Sequence, residues 1–139
     1  MTTDRIKRTA ALCVFGLLLG GCNFNKDTTA DIDKRAEERW NLLITHKAEK
    51  AYDYLTPGKR ATQTRESYAA AMNNRPVRWS SAKFKSKECD ADRCKVLLDV
   101  SYSVVMPGTG SLGKPIEATS TQSETWVHVE GDWYFLPSD

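Results

Sequence analysis

Apolar and polar positions along this chain follow two different periods, and the change between them falls near Pro76. From Asp31 to Leu55, the residues Ala36, Trp40, Leu43, Ile44, Ala48, Ala51 and Leu55 recur on one stripe among charged neighbours. That is the period of an amphipathic helix. Asp31 and Asp33 suit its start, where the helix dipole favours negative charge, and Thr56-Pro57-Gly58 predicts its end. A second, shorter helix is predicted to open on Thr64 as its cap, run through Tyr68 to Met72, and stop at Asn73-Asn74 before Pro76.

Beyond Pro76 the period becomes two. Phe84 sits between Lys83 and Lys85 in a first strand, and Val96, Leu98, Val100, Tyr102, Val104 and Met106 alternate with Asp99, Ser101 and Ser103 in a second. Pro107 to Pro115 reads as a loop. A third strand is predicted from about Ile116 to Val129, with Glu130-Gly131 as the turn and Asp132 to Leu136 as the returning strand. Helices followed by a run of antiparallel strands predict an α+β fold: two N-terminal helices packed on the concave face of a curved, mainly antiparallel four-stranded sheet, one domain over residues 31–139.

The residues ahead of that domain carry a different signal. Arg5, Lys7 and Arg8 precede an apolar run from Ala10 to Leu19 that is too short to span a bilayer as a helix, the layout of a secretory signal peptide. The run closes on Leu19-Gly20-Gly21-Cys22, which resembles the lipobox of bacterial lipoproteins. The resemblance implies cleavage after residue 21, acylation of Cys22, and a lipidated tether over residues 22–30. Acyl chains stabilise anchoring by about 0.8 kcal/mol per buried CH₂, so two or three of them hold firmly. Asn23 in place of an aspartate implies the periplasmic face of the outer membrane in lipoproteins of this kind.

Removing the first 21 residues takes away three of the 20 Lys and Arg and one of the 18 Asp and Glu, leaving 17 of each sign. The basic pI of 8.3 therefore belongs largely to the leader and gives no reason to expect a nucleic-acid partner. Of the four cysteines, Cys13 would leave with the leader and Cys22 would carry lipid. Cys89 and Cys94 remain, and four turn-type residues between two strand-like runs predict a disulfide across the neck of a hairpin. A metal site would need two further ligands, and the two histidines are not clustered nearby, so no metal is expected.

Two stretches carry a resemblance of fold grade. Leu42 to Met72 has a tryptophan-bearing helix before it, an Ala-x-x-x-Leu-Thr-Pro helix end and a Thr-Arg-Glu-Ser helix start. Thr125-Trp126-Val127-His128-Val129-Glu130-Gly131-Asp132-Trp133-Tyr134-Phe135 forms an aromatic hairpin. Together they resemble nuclear transport factor 2-like domains. The resemblance implies a cone-shaped pocket, members that include ring isomerases and dehydratases, and frequent dimerisation of sheet against sheet.

The candidate chemistry is sparse. With a Glu130-Gly131 turn, His128 pairs with Trp133 and Trp126 with Phe135, so all four share one sheet face. An imidazole among aromatic rings favours its neutral form, which suits a general base. Asp99 falls on the wrong parity to partner His128, whereas Tyr102 has the right one. Tyr102, Trp126, His128 and Trp133 are the expected pocket for a small apolar ligand. His46 is expected to be a solvated helix residue, and Lys83, Lys85 and Lys87 a basic strand face. Val127, Tyr134 and Leu136, on the opposite parity, are the expected interface for a second copy or an envelope protein. No phosphate loop, nucleophile elbow or nucleotide fingerprint is present, and no cofactor is expected. The resulting expectation is a non-catalytic binding or assembly module, with a small-ligand binder, or an isomerase- or dehydratase-type enzyme using His128, as alternatives.

Overall fold

The computed structural model describes residues 29–105 and 115–138. The leader, Cys22, most of the tether and all but Pro115 of the expected loop lie outside them. The order of elements is α1 (Ile32–Ile44), α2 (Ala48–Ala51), a 3-10 turn (Tyr52–Tyr54), α3 (Pro57–Thr62), α4 (Arg65–Asn73), then β1 (Val77–Cys89), β2 (Arg93–Val104), β3 (Ile116–Val129) and β4 (Asp132–Leu136). The class is α+β, and the four strands form one antiparallel sheet in chain order.

The expected long helix is interrupted, and four short helices stand where two were predicted. α1 ends because His46 adopts a left-handed backbone, φ 56°. Its N–H donates to the Leu43 carbonyl at 3.2 Å and that of Lys47 to the Leu42 carbonyl at 2.7 Å. This is the Schellman arrangement, which satisfies the last carbonyls of a helix and turns the chain. The apolar stripe continues through the break because Ala48, Ala51 and Leu55 resume against the same core. Thr56-Pro57 was expected to close a helix and instead opens α3. The Thr56 hydroxyl accepts from the Lys59 N–H, and Pro57 occupies the first helical position, where a missing N–H costs nothing. Thr64 caps α4 as expected, accepting from the Ser67 N–H at 3.2 Å.

The core lies between the helices and one face of the sheet. Ile32, Ala36, Trp40 and Leu43 of α1 are buried against the alternate residues Val96, Leu98 and Val100 of β2 and Trp126 of β3. Tyr52 and Tyr68, 5.8 Å apart between ring centroids, join the 3-10 turn to α4. β1 carries two register shifts, between Trp79 and Ser81 and between Phe84 and Ser86. Cys89 and Cys94 face each other in the β1–β2 register and are joined by a disulfide. Glu130 and Gly131, at φ 52° and 94°, turn β3 into β4. His128 pairs with Trp133 and Trp126 with Phe135. Outside the sheet edge, Leu55 bridges to Phe135 in parallel and the Thr56 N–H donates to the Phe135 carbonyl.

The opposite sheet face is polar. The hydroxyls of Ser101 and Thr119 lie 2.9 Å apart, and Thr121 donates to the Asp99 carboxylate at 2.6 Å. Lys85 reaches the same carboxylate at 3.2 Å. Thr121 first, and then Lys85, hold the Asp99 carboxyl below its ordinary range. Of the expected interface, only Leu136 is exposed, at 36%; Val127 and Tyr134 are half-buried. The Arg60 guanidinium covers the Tyr134 ring at 5.4 Å. The apolar patch expected there is therefore interrupted by Arg60. No helix among the described residues is long and apolar enough to cross a membrane.

Candidate functional site

Glu124 occupies a core position on β3, 5% exposed, on the parity of Trp126. Three donors converge on its carboxylate. Arg39 of α1 donates through Nη1 to Oε1 at 2.6 Å, Trp40 through Nε1 to the same oxygen at 2.8 Å, and Trp126 through Nε1 to Oε2 at 3.0 Å. None of the three can accept a hydrogen bond, so the group between them has to be an acceptor on both oxygens. The Arg39 guanidinium also stacks on Phe135, 3.7 Å from its centroid. A buried charge without such partners would cost several kcal/mol, roughly, so the cluster is built as a unit.

This cluster forms one wall of a cavity of about 390 Å³ between α1, α4 and the sheet. Tyr68 and Met72 of α4, Trp79 of β1 and Gln122 of β3 line its other sides. Trp40 and Trp79 meet edge to face at 5.4 Å. The Tyr68 side chain is 2% exposed, and its hydroxyl has no hydrogen-bond partner in the protein. Arg39 Nε is likewise buried without one. An unmet buried polar group costs about 1–3 kcal/mol, and both atoms are closed off from the cavity itself.

The four residues expected to form a pocket do not come together as one site. Tyr102 pairs with Trp79 and Ala118, whereas Trp126 pairs with Cys94. Eight residues of β2 separate Cys94 from Tyr102, a rise of about 26 Å. Parity had placed them correctly on one face; it carries no information about distance along the strand. Trp126 is fully buried and acts as a ligand to Glu124. His128 stacks on Trp133 at 5.1 Å, with Asp92 Oδ1 3.8 Å from its Nδ1. His128 Nε2 and Trp133 Nε1 are buried without partners, and neither residue lines the cavity around Glu124. His46 is exposed, as expected. Lys83, Lys85 and Lys87 do not act as one basic face: Lys85 pairs with Asp99, and Lys87 lies 3.7 Å from Asp33. No cluster of potential metal ligands occurs among the described residues.

Sequence reasoning passed over Glu124, Arg39 and Tyr68. Two signals were present: Glu124 shares the parity of Trp126, and Arg39 lies three residues from Ala36 and four from Leu43 on the buried stripe.

No protein-family model matches the chain, and no curated protein matches it. Among solved structures it is similar to a SEC-C motif containing protein from Rhodopseudomonas palustris, with a TM-score of 0.53 and 14% identity over 73% of this chain and 71% of the other. Identity at that level speaks for the fold alone. The match overturns the resemblance of the domain to nuclear transport factor 2-like domains, since the structural likeness lies with the SEC-C motif protein. The residues behind that resemblance serve local needs instead. Thr56-Pro57 starts a helix, Gly131 supplies a left-handed turn, and Trp40 and Trp126 satisfy Glu124.

Proposed function

We propose that this chain is an exported, lipid-anchored binding domain that holds a small molecule between its helices and its sheet and performs no chemistry on it. The observation that carries the reading is the cavity of about 390 Å³, lined by the rings of Trp40, Tyr68 and Trp79 and by the amides of Gln63 and Gln122. Ligand pockets of a few hundred Å³ combine an apolar lining with a few polar groups of this kind. The bulges in β1 support a sheet bent around that cavity. Binding without catalysis is supported by the state of Glu124, the one acid lining the cavity among the described residues. Its oxygens are already engaged by three donors, so it is poorly placed to take a proton from a substrate. Export and anchoring rest on the basic, apolar and small-residue zones that end at Cys22. Contact with the envelope membrane through the lipid is part of this reading. A protein partner on the outer sheet face is not, because hydroxyls and ion pairs dominate that face.

Two measurements test the proposal. A thermal-shift panel of neutral and anionic apolar molecules should include members that raise the melting temperature of the wild type. The same members should not raise that of Met72→Trp, whose indole fills the cavity. A panel without any response, or an equal response in the filled variant, counts against binding. In export-competent bacteria, Cys22→Ser should move the domain from the membrane to the soluble fraction; unchanged membrane retention counts against the anchor.

A further inference from the structure

β3 is the longest strand of the sheet, and only part of it has a neighbour on both sides. β2 pairs with residues 116–127, whereas β4 pairs with residues 125–129 alone. Residues 116–124 therefore present an open margin, with no second strand beside them among the described residues. By the register of β4, Pro137 and Ser138 come next beside Glu124 and Ser123, and all four line one cavity. Residues 116–122 stay clear.

Sheet margins that are kept from pairing usually carry lysine, proline or a bulge. Such guards stand on β1, which has two register shifts and Lys83, Lys85 and Lys87. Residues 116–122 have none of them: their register with β2 is unbroken, and Glu117 is their one charge. Ile116, Glu117, Thr119, Thr121 and Gln122 are exposed, Ile116 by 50%.

The geometry points to a second copy of this chain as the occupant of that margin. Two β3 strands pair antiparallel, edge to edge, about a two-fold axis. Facing residues of antiparallel strands lie on the same sheet face, so such an axis passes through a residue, and the middle of 116–122 is Thr119. This register sets Ala118 against Ser120 of the partner subunit, Glu117 against Thr121 and Ile116 against Gln122. The stretch is thus complementary to its own reversal, which is what favours a copy over a foreign strand. No like charges face each other. Glu117 arrives beside a threonine whose hydroxyl lies 3.1 Å from Lys85 Nζ, a cation that Asp99 already shares. On the core-side face, Ile116 loses its exposure against Gln122, a wall residue of the cavity beside Glu124 and of a second one of about 510 Å³. Each copy spends the same margin, so the pair closes and does not propagate.

Sedimentation velocity of the full chain in mild detergent, from about 1 μM to 1 mM, covers the weak association expected of a small interface. The wild type should pass from monomer to dimer. Thr119→Lys places like charges opposite each other on the axis and should raise the dissociation constant about fivefold, as should Thr119→Glu. An equal mixture of the two variants should recover the dimer, because lysine then faces glutamate. Under oxidising conditions Thr119→Cys should link to its copy far more readily than Ser86→Cys, an exposed position on β1. Monomer throughout the range overturns the proposal. So do dimers indifferent to both charges, a mixture no tighter than its components, or equal linking by the two cysteine variants. A Thr119→Cys product whose mass includes a different protein also overturns it, and assigns the margin to a foreign strand.

Discussion

Arg39 on α1 and Glu124 on β3, 85 residues apart in the chain, meet at 2.6 Å with both side chains 5% exposed. Trp40 and Trp126 complete the ring of donors around the same carboxylate. Removing one member of a buried pair leaves the other uncompensated and costs about 3–5 kcal/mol. Arg39→Ala and Glu124→Ala should each lose stability on that scale in urea denaturation. Glu124→Gln keeps the shape but turns an NH₂ group toward either Trp126 or the Arg39–Trp40 pair, donor against donor. It should lose about 1–3 kcal/mol. A Gln variant as stable as the wild type would show that the donors have other partners.

The disulfide closes a short loop, and the chain-entropy model assigns it about 2 kcal/mol. Its two ends are unequal, since Cys94 is fully buried and Cys89 is exposed. Cys89→Ser should lose the loop contribution alone. Cys94→Ser should lose more, because it also places a hydroxyl in the core. Chemical denaturation of the two variants side by side reads the difference; equal losses would contradict the assigned burial.

His46 sits in the left-handed region, φ 56°, where a side chain costs roughly 1 kcal/mol that glycine avoids. It is exposed, so nothing is lost by removing its ring. His46→Gly should therefore raise the melting temperature, and His46→Val should lower it. A glycine variant that melts below the wild type would mean that the end of α1 is shaped differently.

Arg65 holds Asp53 through two hydrogen bonds, at 2.6 and 3.0 Å, linking α4 to the 3-10 turn. The hydrogen bond from Arg65, followed by its charge, keeps the Asp53 carboxyl below its ordinary value despite some opposing burial. A carboxyl depressed in the folded state contributes stability above its unfolded pKa, and that contribution is lost as the pH falls through the folded value. Asp53→Asn should thus melt below the wild type at pH 6, and the gap should close on acidification below about pH 4. A gap that is independent of pH would assign the effect to packing.

The β-register was the most legible part of the molecule. Glu130-Gly131 names its own turn, and the alternation around it then dictates that His128 faces Trp133 and Trp126 faces Phe135. The break at His46 was hidden because its left-handed residue is not a glycine and the apolar stripe resumes in phase after it. The candidate site was misplaced for two physical reasons. Parity assigns a face and leaves position along it open, which separated Tyr102 from Trp126. A carboxylate at a core position also reads as solvated until its donors are known, and those of Glu124 come from 84 and 85 residues away as well as from Trp126.

The strand-like contact of Leu55 with Phe135 bears on how these molecules behave when concentrated. A row of free N–H and C=O groups at a sheet margin invites a neighbouring chain to add itself. Here the β4 margin is taken up by Leu55 and Thr56. On the β1 margin the Phe84 N–H is spent on the Glu37 side chain at 2.7 Å. A protein crowded onto a surface among its own copies risks runaway stacking of strand upon strand; in this chain one extended dipeptide and one glutamate stand against it.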